Sequence, residues 1–337
     1  MIGVLGAGAW GTALAQLLAG RHDVVLWARQ PALAAAIDAT RENAPYLPGV
    51  PLSSRIAATD DLDLVERRAT DALLAVVPAQ HLRQVLNALP DGDLAGAAPL
   101  ILCAKGIEAG SHRLMHEVAA ECCPGRPVAV LSGPTFAREV AQGLPTAATV
   151  AHTDPVLAER LAALFAGSAL RPYTSTDVVG AEIGGAVKNV LAIACGVAEG
   201  AGLGSNARAA LIARGFAEMS RFGRSRGARA DTLAGLAGLG DLVLTCSSVQ
   251  SRNFSLGVGI GRGERAADLL ANRRTVAEGA ATAPVLLAAT RAAGVEMPVT
   301  AAVCDLLRGD EADAVMRALL ARPLRGEDDA TERARDR

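Results

Sequence analysis

The sequence has few aromatic residues, little net charge and no clustered metal ligands. Of its 337 residues 3% are aromatic, and the formal net charge is −2. A chain without a basic excess has no positive field to hold nucleic acid or anionic lipid, so we expect neither as a partner. The six cysteines show no CxxC spacing and no histidine cluster beside them. This pattern argues against a metal site or a disulfide framework and suits a reducing cytosol.

Uninterrupted apolar runs of membrane-spanning length are also lacking. Charges, glycines or prolines interrupt each candidate, so we expect no membrane insertion and a cytoplasmic protein. The first twenty residues are apolar, but they lack a basic start and contain spaced glycines. We therefore predict a strand and a turn there rather than a signal peptide.

Lysine is almost absent. Only two of the 33 Lys and Arg residues are lysines, Lys105 and Lys188, and the other 31 are arginines. Arginine stays protonated, whereas a desolvated lysine can have its pKa lowered and exchange a proton. We therefore interpret both lysines as candidate site residues. The structural alternative for Lys188 is an amine that reaches solvent at the edge of a buried helix.

Lys188 is the only charge between Glu182 and Glu199, in an apolar segment that predicts a buried helix. On such a helix the lysine side chain leans over the preceding turn, where Gly184 and Gly185 have no side chains. We expect a small molecule to approach the amine across this bare backbone.

A glycine-rich turn follows the first predicted strand, residues 1–5, and precedes helical sequence at 12–18. In dinucleotide-binding folds the first glycine permits a tight turn, the second lets backbone approach the pyrophosphate, and the third lets the helix pack on the strand. Here these are Gly6, Gly8 and Gly11. The pyrophosphate then lies at the helix N-terminus. The motif in this context predicts binding of NAD or NADP.

The second predicted strand, residues 23–27, has no acidic residue at its end to select NAD through the ribose hydroxyl. Arg29 lies there instead. It can pair with the 2′-phosphate of NADP or stack on adenine, and a solvated surface arginine is the alternative.

Strands and helices alternate through the first half of the chain and then stop alternating. Further strands are predicted at 71–77, 99–104, 127–131 and 146–151, with helices between them at 79–89 and 112–121. This alternation predicts an α/β Rossmann-type domain with a mainly parallel sheet over residues 1–177. Alanine-rich helical sequence then predicts an all-α domain over 178–324. The charged segment 325–337 is expected to be a disordered tail.

Two predicted strands end at residues suited to ligand binding, since ligands lie at the carboxyl ends of parallel strands. Lys105 follows one, and the segment 132–135, Ser-Gly-Pro-Thr, follows the next. This segment is also an ordinary turn and helix cap.

The second half contributes two further candidate segments. Asp241 ends a glycine-punctuated, flexible apolar stretch that begins at Leu233. Its carboxylate can hold a protonated Lys188 or cap a helix. Residues 245–253 are polar, and Arg252 offers a planar fork that matches phosphate oxygens. A solvated loop is the alternative for this second segment.

These landmarks together resemble the bacterial NAD(P)-dependent glycerol-3-phosphate dehydrogenases over about residues 2–321. The matching segments are GAGAWGTALA at 6–15, NAPYLPGV at 43–50, KGIE at 105–108, LSGPTFAREV at 131–140, EIGGAVKNVLAIACG at 182–196, GLGDLVLTCSSVQSRN at 238–253 and VAEG at 276–279. The resemblance implies reversible reduction of dihydroxyacetone phosphate to sn-glycerol 3-phosphate for phospholipid biosynthesis.

The resemblance also implies residue roles, with Lys188 as proton donor and acceptor at the C2 oxygen. The implied substrate contacts are Lys105, Gly133, Thr135, Lys188, Asp241, Ser251, Arg252 and Asn253. The cofactor contacts, with the glycine turn and Arg29 included, are Gly6, Gly8, Ala9, Trp10, Gly11, Arg29, Lys105, Ala137, Arg252, Val276 and Glu278. Ala9 departs from the family's usual small polar residue, so a hydroxyl contact to the cofactor is lost.

Two other functions stay open on the sequence. A β-hydroxyacid-type dehydrogenase shares the glycine turn and the helix-borne lysine, and a nucleotide-sensing protein without turnover would share the cofactor site. The sequence does not reveal the preference between NADH and NADPH. It also does not reveal the oligomeric state, and a homodimer is one option.

Overall fold

The computed structural model describes residues 1–90, 97–272 and 277–321. Two predictions lie outside the described residues: the cofactor contact at Val276 and the disordered tail at 325–337. The end of the predicted helical domain, residues 322–324, also lies outside them.

Eight short strands form one sheet in the described residues, in the order β3-β2-β1-β4-β5-β6-β7-β8. They are β1 (Ile2–Leu5), β2 (Val24–Trp27), β3 (Ile56–Thr59), β4 (Ala72–Ala75), β5 (Leu100–Leu102), β6 (Val128–Ser132), β7 (Thr146–Ala151) and β8 (Leu170–Ser175). Every neighbouring pair is parallel except β6 with β7. The predicted mainly parallel sheet is confirmed.

The sequence analysis missed the two strands at the edges of the sheet, β3 and β8. Their burial is mixed, and β8 contains Pro172, exposed Tyr173, Thr174 and Ser175. An edge strand has one side open to solvent and needs no continuous apolar run, so its sequence resembles a loop.

Seven helices lie between the strands in the part of the chain that the structure describes. They are α1 (Ala9–Leu18), α2 (Pro31–Thr40), α3 (Leu62–Arg68), α4 (Leu82–Leu86), α5 (Met115–Cys122), α6 (Ala137–Ala141) and α7 (Pro155–Ala162). Short 3-10 turns cover Ala79–His81 and Ala163–Phe165. Separate apolar clusters pack on the two faces of the sheet. The strand order reverses between β1 and β4, which opens a crevice at their carboxyl ends.

Only helices follow β8 in the described residues, as the sequence predicts. They are α8 (Val178–Gly200), α9 (Gly204–Ser225), α10 (Ala230–Ala234), α11 (Asp241–Thr245), α12 (Arg252–Gly261), α13 (Ala266–Ala271), α14 (Glu278–Ala292), α15 (Pro298–Arg308) and α16 (Ala312–Leu320). Asp177 caps α8 by accepting a hydrogen bond from the Gly180 N–H at 2.8 Å.

Helix α8 is the centre of the C-terminal half, because its side chains are buried almost without exception from Val178 to Ala198. By length and composition it is the one described helix that could cross a membrane, and 94% of its most apolar window is buried inside the protein. A helix enclosed by its own chain is weak evidence for a membrane span.

Two details of the sequence analysis are wrong. The stretch from Leu233 to Asp241 is not flexible, since a π-helical turn, Leu236–Gly240, connects α10 to α11. Gly184 is not open to a ligand, because a methyl group there would overlap the carbonyl oxygen of Ala237. The glycine instead lets the π-helical turn pack on the backbone of α8.

Candidate active site

The two lysines of the chain meet at one carboxylate. Lys188 Nζ donates to Oδ1 of Asp241 at 2.6 Å, and Lys105 Nζ donates to Oδ2 at 2.7 Å. Lys105 lies beyond the end of β5, Lys188 lies in the middle of α8, and Asp241 begins α11. Three segments that are distant in sequence therefore converge at the carboxyl end of β5, where the sheet meets the helical half. Asp241 holds the lysines and does not cap its helix with its side chain.

Lys188 lies inside the protein with a side chain only 8% exposed, so an amine in solvent is excluded. It also donates to Oγ1 of Thr245 at 3.0 Å. Burial lowers the pKa of Lys188 to about 8, with the positive charge of Lys105 acting in the same direction and Asp241 opposing both. An amine with this pKa can both give and accept a proton near neutral pH.

The segment after β6 approaches the same amines. The Gly133 carbonyl accepts a hydrogen bond from Lys105 Nζ at 3.2 Å, and Thr135 Oγ1 donates to the same carbonyl at 3.2 Å. A side chain at Gly133 would lie 2.8 Å from Cα of Ala148, so only glycine fits against β7. The buried Ser132 hydroxyl has no hydrogen-bond partner among the described residues.

The segment before α12 is a rigid helix start. Ser251 Oγ caps α12 by accepting from the Phe254 N–H at 3.2 Å. Asn253 donates to Oδ1 of Asn189 at 2.9 Å and accepts from the Gly279 N–H at 2.9 Å. Asn189 follows Lys188 on α8, so these bonds tie the start of α12 to α8 and to the start of α14. The solvated-loop interpretation is wrong for these buried side chains.

Arg252 and Glu278 carry opposite charges at the N-termini of α12 and α14. Arg252 is exposed. Burial raises the pKa of the Glu278 carboxyl, while the positive charge of Arg252 and a hydrogen bond from the Ala79 backbone act against this. Ala79 follows β4, so Glu278 reaches across from the helical half to the crevice of the sheet.

The glycine turn between β1 and α1 fits a dinucleotide phosphate. Gly6 has φ +115°, and a side chain there would lie 2.6 Å from the Val76 carbonyl oxygen. A side chain at Gly11 would overlap the Gly6 carbonyl oxygen, whereas one at Gly8 would meet no atom within 4 Å. The turn is thus tightly packed at its ends and open at its middle, where a phosphate can approach the N-terminus of α1.

The other candidate cofactor residues lie around this crevice. Ala9 and Trp10 begin α1, and Ala137 begins α6, which packs on α1. Arg29 is exposed two residues beyond β2. Arg29 contributes nothing to the lysine cluster, but it lies at the strand end where an adenosine ribose would reach.

Thr245 opens the candidate segment 245–253, but the sequence analysis assigned no role to it or to Asn189. Thr245 lies four positions after Asp241, on the same helical face, and both contact Lys188. The helical spacing was a usable signal for Thr245. Asn189 adjoins Lys188 in sequence, but its pairing with Asn253 joins positions 64 residues apart, which no local pattern predicts.

Two family models match almost the whole chain. The N-terminal model of NAD-dependent glycerol-3-phosphate dehydrogenase matches residues 1–158, and the C-terminal model matches residues 177–316. The chain belongs to this dehydrogenase family. The resemblance inferred from the sequence is therefore confirmed.

Individual relatives agree with this assignment. The glycerol-3-phosphate dehydrogenase [NAD(P)+] 1 of Sphingopyxis alaskensis is 62% identical over 96% of this chain and 97% of its own length. The corresponding protein of Erythrobacter litoralis is 59% identical over 97% of each chain. The crystal structure of glycerol-3-phosphate dehydrogenase from Coxiella burnetii superposes with a TM-score of 0.89, at 38% identity, over 95% of this chain and 98% of that one.

Proposed function

We propose that this glycerol-3-phosphate dehydrogenase family member reversibly reduces dihydroxyacetone phosphate to sn-glycerol 3-phosphate with NADH or NADPH and so supplies the phospholipid backbone. The proposal depends on one observation above all. Lys188 is buried with its pKa lowered to about 8, and it shares the carboxylate of Asp241 with Lys105, which lies beyond the carboxyl end of β5.

Lys188 is the proposed proton donor and acceptor at the C2 oxygen. Reduction leaves negative charge on that oxygen, and the ammonium both stabilises the charge and protonates it. Asp241 and Thr245 fix the amine in place through hydrogen bonds of 2.6 and 3.0 Å. In the reverse direction the neutral amine accepts the proton from the C2 hydroxyl.

Arg252 is the proposed partner of the substrate phosphate. It begins α12, where the helix dipole and the first backbone N–H groups also favour an anion. Ser251 and Asn253 are buried on either side, and their hydrogen bonds keep this helix start rigid. Binding at the remote phosphate orients the ketone toward Lys188 and Lys105.

The glycine turn, Arg29, Ala137 and Glu278 are the proposed cofactor residues, and the fit of Gly6, Gly8 and Gly11 described above supports this. When bound, the reduced nicotinamide supplies the hydride that reaches C2 of the ketone. The chain itself provides the phosphate cradle, the strand-end contact with the ribose and the exclusion of water around the amines.

An absorbance assay of the reduced nicotinamide tests the proposal directly. Purified protein with dihydroxyacetone phosphate and either NADH or NADPH should consume both substrates and yield sn-glycerol 3-phosphate. Turnover of a β-hydroxyacid instead would identify the related dehydrogenase activity. Cofactor binding without turnover of either substrate would identify a nucleotide-sensing protein.

The division into domains 1–177 and 178–324 stays a proposal. It is supported by the start of α8 at Val178 and by the separate family models for the two halves. Cytoplasmic location and a homodimer are also proposals, which fractionation and light scattering would test.

A further inference from the structure

Asn43 lies directly beneath the glycine turn, although it is remote from the turn in sequence. Its side chain is fully buried, and Nδ2 donates to the Ala7 carbonyl at 2.9 Å and to Oγ1 of Thr12 at 2.7 Å. Ala7 lies between Gly6 and Gly8, and Thr12 lies in the first turn of α1. One amide group therefore ties the turn to the helix that follows it.

The bond to Ala7 sets the direction of the next N–H group. In a planar trans peptide the carbonyl of one residue and the N–H of the next point to opposite sides. Because Asn43 holds the Ala7 carbonyl, the Gly8 N–H points away from Asn43. The space beside Gly8 is open, since a side chain there would meet no atom within 4 Å. An anion at the N-terminus of α1 would approach from this direction.

The chemistry of the site requires the amide nitrogen. Asn43 Oδ1 is buried without a hydrogen-bond partner among the described residues, so the side chain contributes through its donors. An aspartate has the same shape but would place an acceptor against the Ala7 carbonyl. The backbone of Asn43 is fixed by a tight turn, in which its carbonyl accepts from the Leu47 N–H at 2.7 Å.

We propose that Asn43 is a positioning residue that orients the Ala7–Gly8 peptide toward the pyrophosphate of the dinucleotide. It acts through the backbone of the turn and not by touching the cofactor. The inference rests on the proposed function, because it assigns a task to Asn43 in cofactor binding by that same turn.

The test compares Asn43→Asp and Asn43→Ala with the wild type. Dissociation constants for NADH and NADPH are measured from the fluorescence of the reduced nicotinamide, and that for ADP-ribose, which retains the pyrophosphate, by calorimetry. A misdirected hydrogen bond to a charged phosphate predicts a weakening of about tenfold for all three ligands. The value of kcat at saturating cofactor and the KM for dihydroxyacetone phosphate should change by less than about twofold, since the lysine cluster is untouched.

Gln16→Ala is the matched control. Gln16 Oε1 accepts from the Ser53 N–H at 2.8 Å, so it links α1 to the same long connection without touching the glycine turn. We expect Gln16→Ala to keep wild-type cofactor affinity. If Asn43→Asp does not fold, Asn43→Ala still removes both amide donors and tests the same bond.

The outcomes separate the inference from the proposed function. Asn43 variants that bind all three ligands as tightly as Gln16→Ala would overturn the positioning role while leaving the dehydrogenase intact. A wild-type protein that binds neither NADH nor NADPH would instead overturn the proposed function itself. Equal losses in Asn43→Ala and Gln16→Ala would show that a general loosening of this connection, and not the orientation of the turn, governs affinity.

Discussion

Lys188 donates a hydrogen bond to Asp241 over 2.6 Å in a region where neither side chain is more than 8% exposed. Two opposing effects act on this amine. Removal from water favours its neutral form, and the adjacent carboxylate favours its charged form. The balance leaves a pKa of about 8, which an arginine at the same position could not reach.

We predict that Lys188→Arg loses about 10²- to 10⁴-fold in kcat, the range typical for loss of a positioned general acid. The guanidinium keeps the positive charge but does not release a proton. The loss in kcat therefore measures proton transfer separately from the effect of charge. Steady-state kinetics with dihydroxyacetone phosphate provide the measurement.

The dissociation constant for the reduced cofactor is the control for Lys188→Arg and should stay close to the wild-type value. Lys188→Met should lose at least as much kcat, since it removes both charge and proton. Near-normal turnover in Lys188→Arg would rule out the acid role.

The two directions of the reaction should respond oppositely to pH. Reduction needs the ammonium form of Lys188, so its kcat/KM should fall as pH rises through about 8. Oxidation of glycerol 3-phosphate needs the neutral amine, so its kcat/KM should fall as pH decreases through the same value. Initial rates in both directions between pH 6 and pH 10, roughly two units either side of this pKa, would show the two limbs.

Asp241→Asn provides an internal check on this profile. Asp241 raises the pKa of Lys188, so its removal should move the midpoint of the reduction limb to lower pH. The same substitution removes the shared partner of Lys105, and kcat should fall as well. A midpoint that stays fixed in Asp241→Asn would mean that another group governs the profile.

Arg252→Ala should chiefly raise the KM for the phosphorylated ketone. The lost charge-assisted hydrogen bonds are worth about 1.5–3 kcal/mol, which corresponds to roughly 10- to 150-fold in kcat/KM. Dihydroxyacetone, which lacks the phosphate, is the control substrate and should lose much less. If both substrates lost kcat/KM equally, Arg252 would act on the cofactor or the fold and not on the phosphate.

The sequence predicted the fold well where structure depends on local pattern. The glycine turn, the alternating segments and the long apolar helix each have a strong periodic signal, and the family assignment rested on ordered motifs. The edge strands β3 and β8 have no such signal. The π-helical turn at 236–240 was also missed, because glycines that predict flexibility in isolation here permit close packing on α8.

The candidate site was predicted in its parts but not in its geometry. Lys105 and Lys188 stood out because lysine is scarce in this chain. A lysine, unlike an arginine, can exchange a proton when its pKa is lowered. That both share the carboxylate of Asp241 is a long-range relation, which joins positions 136 and 53 residues apart. The burial that lowers the pKa of Lys188 likewise comes from packing between the halves of the chain. The assigned substrate and cofactor contacts stay predictions.

The adjacent glycines of α8 should respond differently to the same substitution. Alanine at Gly184 would overlap the Ala237 carbonyl, so the backbone of the π-helical turn must move. We expect Gly184→Ala to lower the free energy of unfolding by about 1–3 kcal/mol despite the better helix propensity of alanine. Urea unfolding provides the measurement.

Gly185→Ala is the matched variant one position along. Its methyl group would lie 3.1 Å from Ser132 Oγ and 3.2 Å from Cγ of Lys105, side chains that can shift by a few tenths of an ångström. The cost of that shift is offset by the helix propensity of alanine, about 1 kcal/mol, so stability should change little. Because Lys105 must move, KM for the ketone should rise instead. Equal destabilisation by both substitutions would mean that α8 tolerates no added volume on either face. The contact of Gly184 with the π-helical turn would then not explain the cost of Gly184→Ala.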